Sequence, residues 1–224
     1  MARKLGLIWS IDWVREDSFK NSVYQHMFAK PTELLGNQFN LDREILVLVS
    51  TYGTFEARSF DYVDKLMADY QNRLDKMCII VVSNDPDIQR KIQERCSQDK
   101  EVRVVIPYTV SELLDPSNGE DFLLRRMRDF LFVRDLFEFT SPLKKETFFF
   151  GRSELLHNLH SRYLQGENSG LFGLRKIGKT STLYALGRLM LLCEEPFALV
   201  QCDNPSFYLK RWNHALAYLV GNIS

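Results

Sequence analysis

Apolar runs alternate with amphipathic segments along the first half of the chain. Three runs of five or six residues are dominated by aliphatic and β-branched side chains: 45–49, 77–82 and 102–106. Such runs are typical of strands that are buried on both faces. Apolar side chains recur at helical spacing in three further segments: 59–76, 87–96 and 119–139. The alternation predicts parallel β-α units with helices covering the sheet.

The first 43 residues give a weaker pattern. Residues 4–11 are apolar enough for a strand, and residues 17–28 are predicted as a helix with Asp17 or Ser18 as its cap. Pro31 then interrupts the chain before the first clear strand.

These elements predict an N-terminal α/β domain over residues 1–140, built on a parallel sheet of the Rossmann/flavodoxin-like or TIR-like type. Residues 141–147 contain Pro142 and several charges, which is typical of a linker. A second domain is predicted over residues 148–224. Ligands of parallel sheets bind beyond the carboxyl ends of the strands. The predicted ends lie at three places: 50–53, 83–85 and 107–108.

Composition limits the function classes. The 224 residues include 29 basic and 29 acidic side chains, and 45% are hydrophobic, which is ordinary for a globular protein with a sizeable core. Residues 1–141 carry 19 basic and 23 acidic side chains, whereas residues 142–224 carry 10 and 6. Neither balance predicts an extended nucleic-acid surface. No apolar run approaches the 18 residues that indicate a membrane span.

The four cysteines show neither C-x-x-C nor zinc-site spacing. Charged residues from Asp12 onward interrupt the N-terminal stretch, which therefore does not fit a signal peptide. A reducing cytoplasm is the simplest expectation.

One motif predicts a specific chemistry. Residues 173–181 read Gly-Leu-Arg-Lys-Ile-Gly-Lys-Thr-Ser and fit G-x-x-x-x-G-K-[ST], the loop that wraps nucleotide phosphates. Gly173 and Gly178 allow backbone angles that turn successive N–H groups towards an anion. Lys179 brings positive charge to the β- and γ-phosphates, and the hydroxyl of Thr180 is a candidate Mg²⁺ ligand.

Neighbouring residues support the same prediction. Arg175 and Lys176 add positive charge inside the loop, and Ser181 follows in the first turn of the next helix. The flanking elements have the required order of strand, loop and helix. Two buried strands and two helices are predicted around and after the loop: strands over 169–173 and 197–202, and helices over 182–192 and 208–220.

A second motif lies about twenty residues before the loop. Phe149, Phe150, Gly151 and Arg152 form an apolar-apolar-Gly-Arg box. Box and loop together resemble the STAND branch of P-loop ATPases, which is close to the AAA+ group, over residues 148–224. The resemblance implies a P-loop NTPase fold with ATP and Mg²⁺ as ligands. It also implies that Phe150, Gly151 and Arg152 lie near the adenine and ribose.

The sequence departs from this family in two respects. The acidic residue that usually follows Gly-Arg is Ser153 here, with Glu154 one place later, so that the role of Glu154 stays open. P-loop ATPases also need an acidic residue on a later strand to hold Mg²⁺ and orient water. Asp203 is the only acidic residue after Glu195, and the family's sensor and lid elements would lie beyond Ser224. We expect the first part of a P-loop domain, which binds ATP or ADP without hydrolysing it alone.

Three functions remain open. The first is the ATP-binding switch of a STAND-type signalling or defence ATPase, in which nucleotide controls an N-terminal effector or adaptor domain and contacts with other chains or with itself. The second is a non-enzymatic interaction module with a P-loop remnant. The third is an N-terminal effector enzyme that processes a nucleotide or NAD. For this third function, residues 50–56 resemble a flavin-contacting loop, and residues 83–85 with Glu94 resemble TIR-type NAD-cleaving domains.

Overall fold

The computed structural model describes residues 1–99, 101–132, 141–200, 202 and 211–221. The chain divides into two compact units, Met1–Glu138 (unit 1) and Phe139–Ser224 (unit 2), and each is described by itself.

Unit 1 is an α/β fold. Its elements in chain order are α1 Ala2–Leu5, β1 Trp9–Ile11, β2 Arg15–Phe19, β3 Ser22–Pro31, α2 Glu33–Phe39, β4 Glu44–Ser50, α3 Arg58–Asp69, β5 Leu74–Ser83, α4 Ile88–Gln98, β6 Val104–Thr109, α5 Val110–Leu114 and α6 Glu120–Leu131.

The sheet of unit 1 is mixed. Its strand order is β1-β3-β4-β5-β6, with β2 paired to β3 beside β1. The strands β4, β5 and β6 are parallel, whereas β3 runs antiparallel to β4, β1 and β2. The α/β class is therefore confirmed, but the expectation of a wholly parallel sheet is wrong for the N-terminal half.

The central strands explain why the apolar runs are continuous. Alternate side chains of β4 enter two different cores: Ile45 and Val47 lie in one cluster, and Leu46 and Leu48 lie in the other. Successive side chains of a strand point to opposite faces, so a strand covered on both sides must be apolar at every position. Each fully buried aliphatic side chain stabilises the fold by about 1.5–3 kcal/mol.

Helices cover both faces of this sheet. The helices α3 and α4 pack on the face that contains Leu46, and α1, α2, α5 and α6 supply buried side chains to the face that contains Ile45. The helix predicted over 59–76 ends earlier, at Asp69, because Leu74 belongs to β5. The helix predicted over 119–139 is α6, and the part of that prediction after residue 132 lies outside the described residues.

The N-terminal 31 residues differ from the sequence prediction. The predicted strand over 4–11 is the helix α1 followed by the short strand β1, and the predicted helix over 17–28 is a hairpin of β2 and β3. Lys20 and Asn21 join the two strands with φ angles of 45° and 63°. Two consecutive residues with positive φ form the type of turn that matches the twist of a hairpin, and this turn excludes a helix.

Unit 2 contains three described helices, α7 Ser153–Leu164, α8 Lys179–Leu192 and α9 Trp212–Gly221. Its described residues contain no strand. The predicted strand over 169–173 is wrong: these residues form neither a strand nor a helix, and Phe172 is 95% exposed. The described part of the predicted strand over 197–202 is likewise not a strand. The predicted helix over 182–192 is confirmed as part of α8, and the first residues of the one over 208–220 lie outside the described residues.

Candidate phosphate-binding loop

The loop between residues 173 and 178 turns directly into helix α8. Gly178 is the residue before the helix and has a φ of +89°, a left-handed conformation that strains any residue with a β-carbon. Lys176, two positions earlier, also has a positive φ of 63°. The first backbone bond of α8 joins the Thr182 N–H to the Gly178 carbonyl, and no side-chain hydrogen bond caps the helix. The N–H groups of the first turn are therefore available to an anion.

Lys179 folds back over the loop. Its ammonium donates hydrogen bonds of 2.8 Å each to the carbonyl oxygens of Gly173 and Leu174. These two bonds close the loop into a ring that runs from Gly173 to Lys179. A phosphate is a stronger acceptor for an ammonium than a backbone carbonyl, because the bond is charge-assisted on both sides.

Arg152 holds the other side of the loop. Its guanidinium donates to the backbone carbonyl of Ile177 and, over 3.2 Å, to the hydroxyl of Thr182. Thr182 is fully buried and its hydroxyl also donates to the Gly178 carbonyl at 3.0 Å. The arginine of the upstream box therefore supports the loop backbone, a contact that the sequence did not predict.

The other predicted loop residues differ in exposure. Arg175 and Lys176 are exposed, and Thr180 is half-buried at the second position of α8. Ser181 is buried, and its hydroxyl accepts the N–H of Leu143 at 2.9 Å. Its side chain therefore ties the loop helix to residues of the predicted linker.

The upstream box borders a cavity of about 290 Å³ between α7 and α8. Gly151 and Arg152 line this cavity, as does Phe149, whereas Phe150 is 59% exposed and does not. The first aromatic of the box, not the second, thus faces this cavity. Sequence spacing did not distinguish the two phenylalanines.

The described residues hold no cluster of three or more His, Cys, Asp or Glu side chains that would bind a metal ion. Asp203, the one acidic residue after Glu195, lies outside the described residues. His157 and His160 do not converge on one point: His157 Nδ1 lies 2.7 Å from the Ser153 carbonyl, and His160 Nε2 lies 3.8 Å from Glu195. In the part of the chain that the structure describes, every helix is too short or too polar to traverse a bilayer.

Two of the three predicted strand ends of unit 1, those after β4 and β5, form a second polar region. The third is wrong, because residues 107–108 lie inside β6, which continues to Thr109. Asp85, which follows β5, is 3% exposed and accepts the Phe55 N–H at 2.8 Å, the Lys91 ammonium at 2.6 Å and the Asp87 N–H at 2.9 Å. Burial would raise the pKa of this carboxyl, but these donors outweigh burial and hold the pKa below its usual value. Glu94, compared above with TIR-type domains, is exposed on α4 and paired with Arg90 at 2.7 Å.

Fold and loop together define an α/β protein with a mixed sheet in unit 1 and a G-x-x-x-x-G-K-T loop at the start of a helix in unit 2. Comparison with protein-family models, with curated proteins and with solved structures finds no match to this chain.

Proposed function

We propose that residues 173–181 bind the phosphates of ATP or ADP together with Mg²⁺, and that the bound nucleotide acts as a switch that controls unit 1. In this proposal the protein is the nucleotide-binding module of a STAND-type signalling or defence ATPase. The observation that carries it is the ring formed by Lys179 and the loop carbonyls in front of an uncapped, 14-residue helix.

The charge and the backbone of the loop fit this role. On binding, the Lys179 ammonium exchanges two neutral carbonyl acceptors for phosphate oxygens, and the first-turn N–H groups of α8 receive an anion. Gly178 supplies the left-handed turn that places these groups on the inner side of the loop. The proposal assigns the adenine and ribose to the cavity lined by Phe149, Gly151 and Arg152.

The residues present fit phosphate better than they fit a metal ion. Thr180 is the single candidate Mg²⁺ ligand of the loop, and Mg²⁺ commonly retains several waters and takes further oxygen ligands from phosphates. Bound Mg²⁺ would neutralise phosphate charge. The proposal covers nucleotide binding; hydrolysis would need an acidic residue on a later strand to hold Mg²⁺ and orient water.

Calorimetric titration of Mg·ATP into the whole chain tests the proposal. We expect saturable binding that Lys179→Ala weakens by at least about thirtyfold, which corresponds to about 2 kcal/mol. Lys30→Ala, which removes an exposed ammonium from β3 in unit 1, should bind as the wild type does. Adenosine should bind much more weakly than ATP, since it offers no phosphate to the loop.

Absence of binding, or binding that is equal in Lys179→Ala, would reject the switch. The alternative of an interaction module with a P-loop remnant would then be the better account. Exposed large apolar side chains of unit 2 already agree with that alternative, for example Phe172, Leu192 and Trp212, which are 95%, 81% and 80% exposed.

A further inference from the structure

A cavity of about 240 Å³ lies in unit 1 between the start of α3 and the outer side of α4. Its walls come from the segment after β4, which contributes Phe55 and Ala57, from Phe60 of α3, and from Ile92 and Arg95 of α4. This volume is about that of eight waters in the liquid and is below the usual range of drug-sized pockets, so that its ligand must be small.

The inner wall is aromatic and apolar. Phe55 and Phe60 meet edge to face, with ring centroids 5.4 Å apart at an interplanar angle of 79°. Both rings are more than nine-tenths buried, and Ile92 beside them is 1% exposed. Such a wall favours a flat apolar group over a hydrated ion.

Asp85 fixes the geometry of this cavity. The same carboxylate oxygen accepts the backbone N–H of Phe55 at 2.8 Å and the ammonium of Lys91 at 2.6 Å. One wall from the segment after β4 and one wall from α4 are therefore held together by one buried carboxylate. A cavity that is built in this way is preorganised, which lowers the entropic cost of binding.

Three charged side chains line the cavity, and two of them are neutralised by an ion pair within the described residues. Lys91 is neutralised by Asp85, and Glu94 at the rim is neutralised by Arg90 at 2.7 Å. Arg95 has no ion pair among the described residues. Its guanidinium lies 4.1 Å from the ring centroid of Phe60, and its Nε is buried without a hydrogen-bond partner.

Arg95 lines the cavity, so that its guanidinium can donate to a ligand oxygen there. This single uncompensated charge favours a monoanion over a phosphate dianion. An arginine also presents the donor geometry that matches a carboxylate.

We propose that this cavity binds a small aromatic carboxylate. The carboxylate accepts hydrogen bonds from Arg95, and the ring of the ligand packs against Phe55, Phe60 and Ile92. This site is independent of the phosphate-binding loop of unit 2. It would give unit 1 a small-molecule ligand of its own.

Benzoate is the probe for the test, with benzamide as its neutral counterpart. In ¹⁵N–¹H spectra of the whole chain, the Nε–H signal of Arg95 is assigned by its loss in Arg95→Lys. We expect benzoate to shift this signal saturably below about 10 mM at constant ionic strength, and benzamide to leave it in place. Arg95→Gln retains polar donors but loses both the charge and this signal, so its binding is followed at the backbone amide signal of Phe55, which lines the cavity. It should weaken benzoate binding at least tenfold.

Two matched variants separate the proposal from other causes. Arg103→Gln removes an arginine that pairs with Asp64 of α3 and does not line the cavity, and it should bind benzoate normally. Lys179→Ala should also bind benzoate normally, which shows that the anion is not held by the loop of unit 2. The wild-type Arg95 signal is informative even if Arg95→Gln fails to fold.

Three outcomes would overturn the proposal. The first is an Arg95 Nε–H signal that benzoate does not move. The second is equal binding of benzoate and benzamide, or of benzoate by wild type and Arg95→Gln. The third is tighter binding of phenyl phosphate than of benzoate at this signal, which would contradict the assignment of a monoanion.

Discussion

The Tyr62 hydroxyl lies 3.0 Å from Nδ1 of His26 in the interior of unit 1. The same hydroxyl donates its proton to Asp17 at 2.8 Å. A phenol has one proton to donate, so His26 must donate from Nδ1, and its neutral ring carries the lone pair on Nε2. That Nε2 is buried without a hydrogen-bond partner in the described structure. The strand β2, the strand β3 and the helix α3 are thus joined by one chain of hydrogen bonds.

This relationship predicts an acid-sensitive fold. Burial lowers the pKa of His26; Asp17 opposes this shift, and Arg15 adds to it. The unfolded chain therefore takes up the proton first when the pH falls below about 6.5, and stability declines from there down to the lower folded-state pKa. The slope can reach about 1.4 kcal/mol per pH unit. Urea unfolding between pH 7.5 and 5, followed by circular dichroism, should show this decline.

His26→Gln should reduce this pH dependence, since glutamine does not titrate in this range. His157→Gln, at an exposed position of α7, serves as the control. A wild-type stability that is constant between pH 7.5 and 5, or equal slopes in wild type and His26→Gln, would contradict the role of His26.

Asp85 should be a strong determinant of stability. Its carboxylate accepts two backbone N–H groups and an ammonium, and an asparagine has one oxygen in place of two. We expect Asp85→Asn to lower the free energy of unfolding by about 2 kcal/mol. Because the pKa of Asp85 is below its usual value, its contribution is present above about pH 3.8 and is lost as the pH falls through the folded-state pKa.

Asp87→Asn is the matched control for this change. Asp87 lies two residues away, is exposed, and pairs with Arg90 over 3.6 Å. An exposed pair contributes about 0.5 kcal/mol or less. Equal losses in the two variants, measured by urea unfolding at pH 7, would show that Asp85 is not an organising residue.

The sequence predicted the centre of unit 1 better than its beginning. Both faces of β4 and β5 are covered, so that apolar side chains occupy consecutive positions. These continuous runs are easily recognised as strands in the sequence. In β3, Ser22, Tyr24 and His26 face inward, and they are polar or amphipathic. The alternation of buried and exposed positions along β3 therefore does not produce an alternation of apolar and polar residues in the sequence. A tertiary hydrogen bond to Tyr62, whose hydroxyl donates in turn to Asp17, makes a histidine acceptable there.

For unit 2 the sequence identified the loop and not its surroundings. The spacing of the two glycines and Lys179 depends only on the local backbone geometry of the loop, so a sequence motif is sufficient to predict it. Residues 169–173 before the loop pair with no strand among the described residues, and the side chain of Phe172 is exposed. Likewise, the contact of Arg152 with the Ile177 carbonyl depends on how α7 packs, which residue spacing does not report.

Cysteine reactivity should separate a buried thiol from an exposed one. Burial raises the pKa of the Cys78 thiol in β5, and the nearby Asp75 adds to this shift. The thiolate is the reactive form, so Cys78 should resist iodoacetamide in the native protein, whereas the exposed Cys193 should react. Peptide mass mapping after a short pulse measures both sites at once. Cys78 should be labelled once urea unfolds unit 1, and native labelling as fast as that of Cys193 would refute its burial.

The left-handed turn at Gly178 should be required for nucleotide binding. A residue with a β-carbon costs about 1–2 kcal/mol in this conformation. If the bound loop needs this turn and the free loop relaxes out of it once residue 178 is alanine, Gly178→Ala should weaken Mg·ATP binding by about five- to thirtyfold in calorimetry. Gly221→Ala at the end of α9 is the control, because its φ is not positive and an added β-carbon meets no atom within 4 Å there. Unchanged affinity in Gly178→Ala would mean that the nucleotide-bound loop does not need the left-handed turn at residue 178.

Arg152 should act by positioning the loop. Its guanidinium holds the Ile177 carbonyl and the Thr182 hydroxyl, and Lys can replace its charge but not both of its directed hydrogen bonds. We expect Arg152→Lys to weaken Mg·ATP binding about tenfold, or about 1.4 kcal/mol, and to increase hydrogen exchange at the amides of Ile177 and Gly178 in the absence of nucleotide. Arg162→Lys, at an exposed position of α7, the helix that begins directly after Arg152, should change neither quantity. Weaker binding with unchanged exchange would indicate that Arg152 contacts the nucleotide itself and does not position the loop.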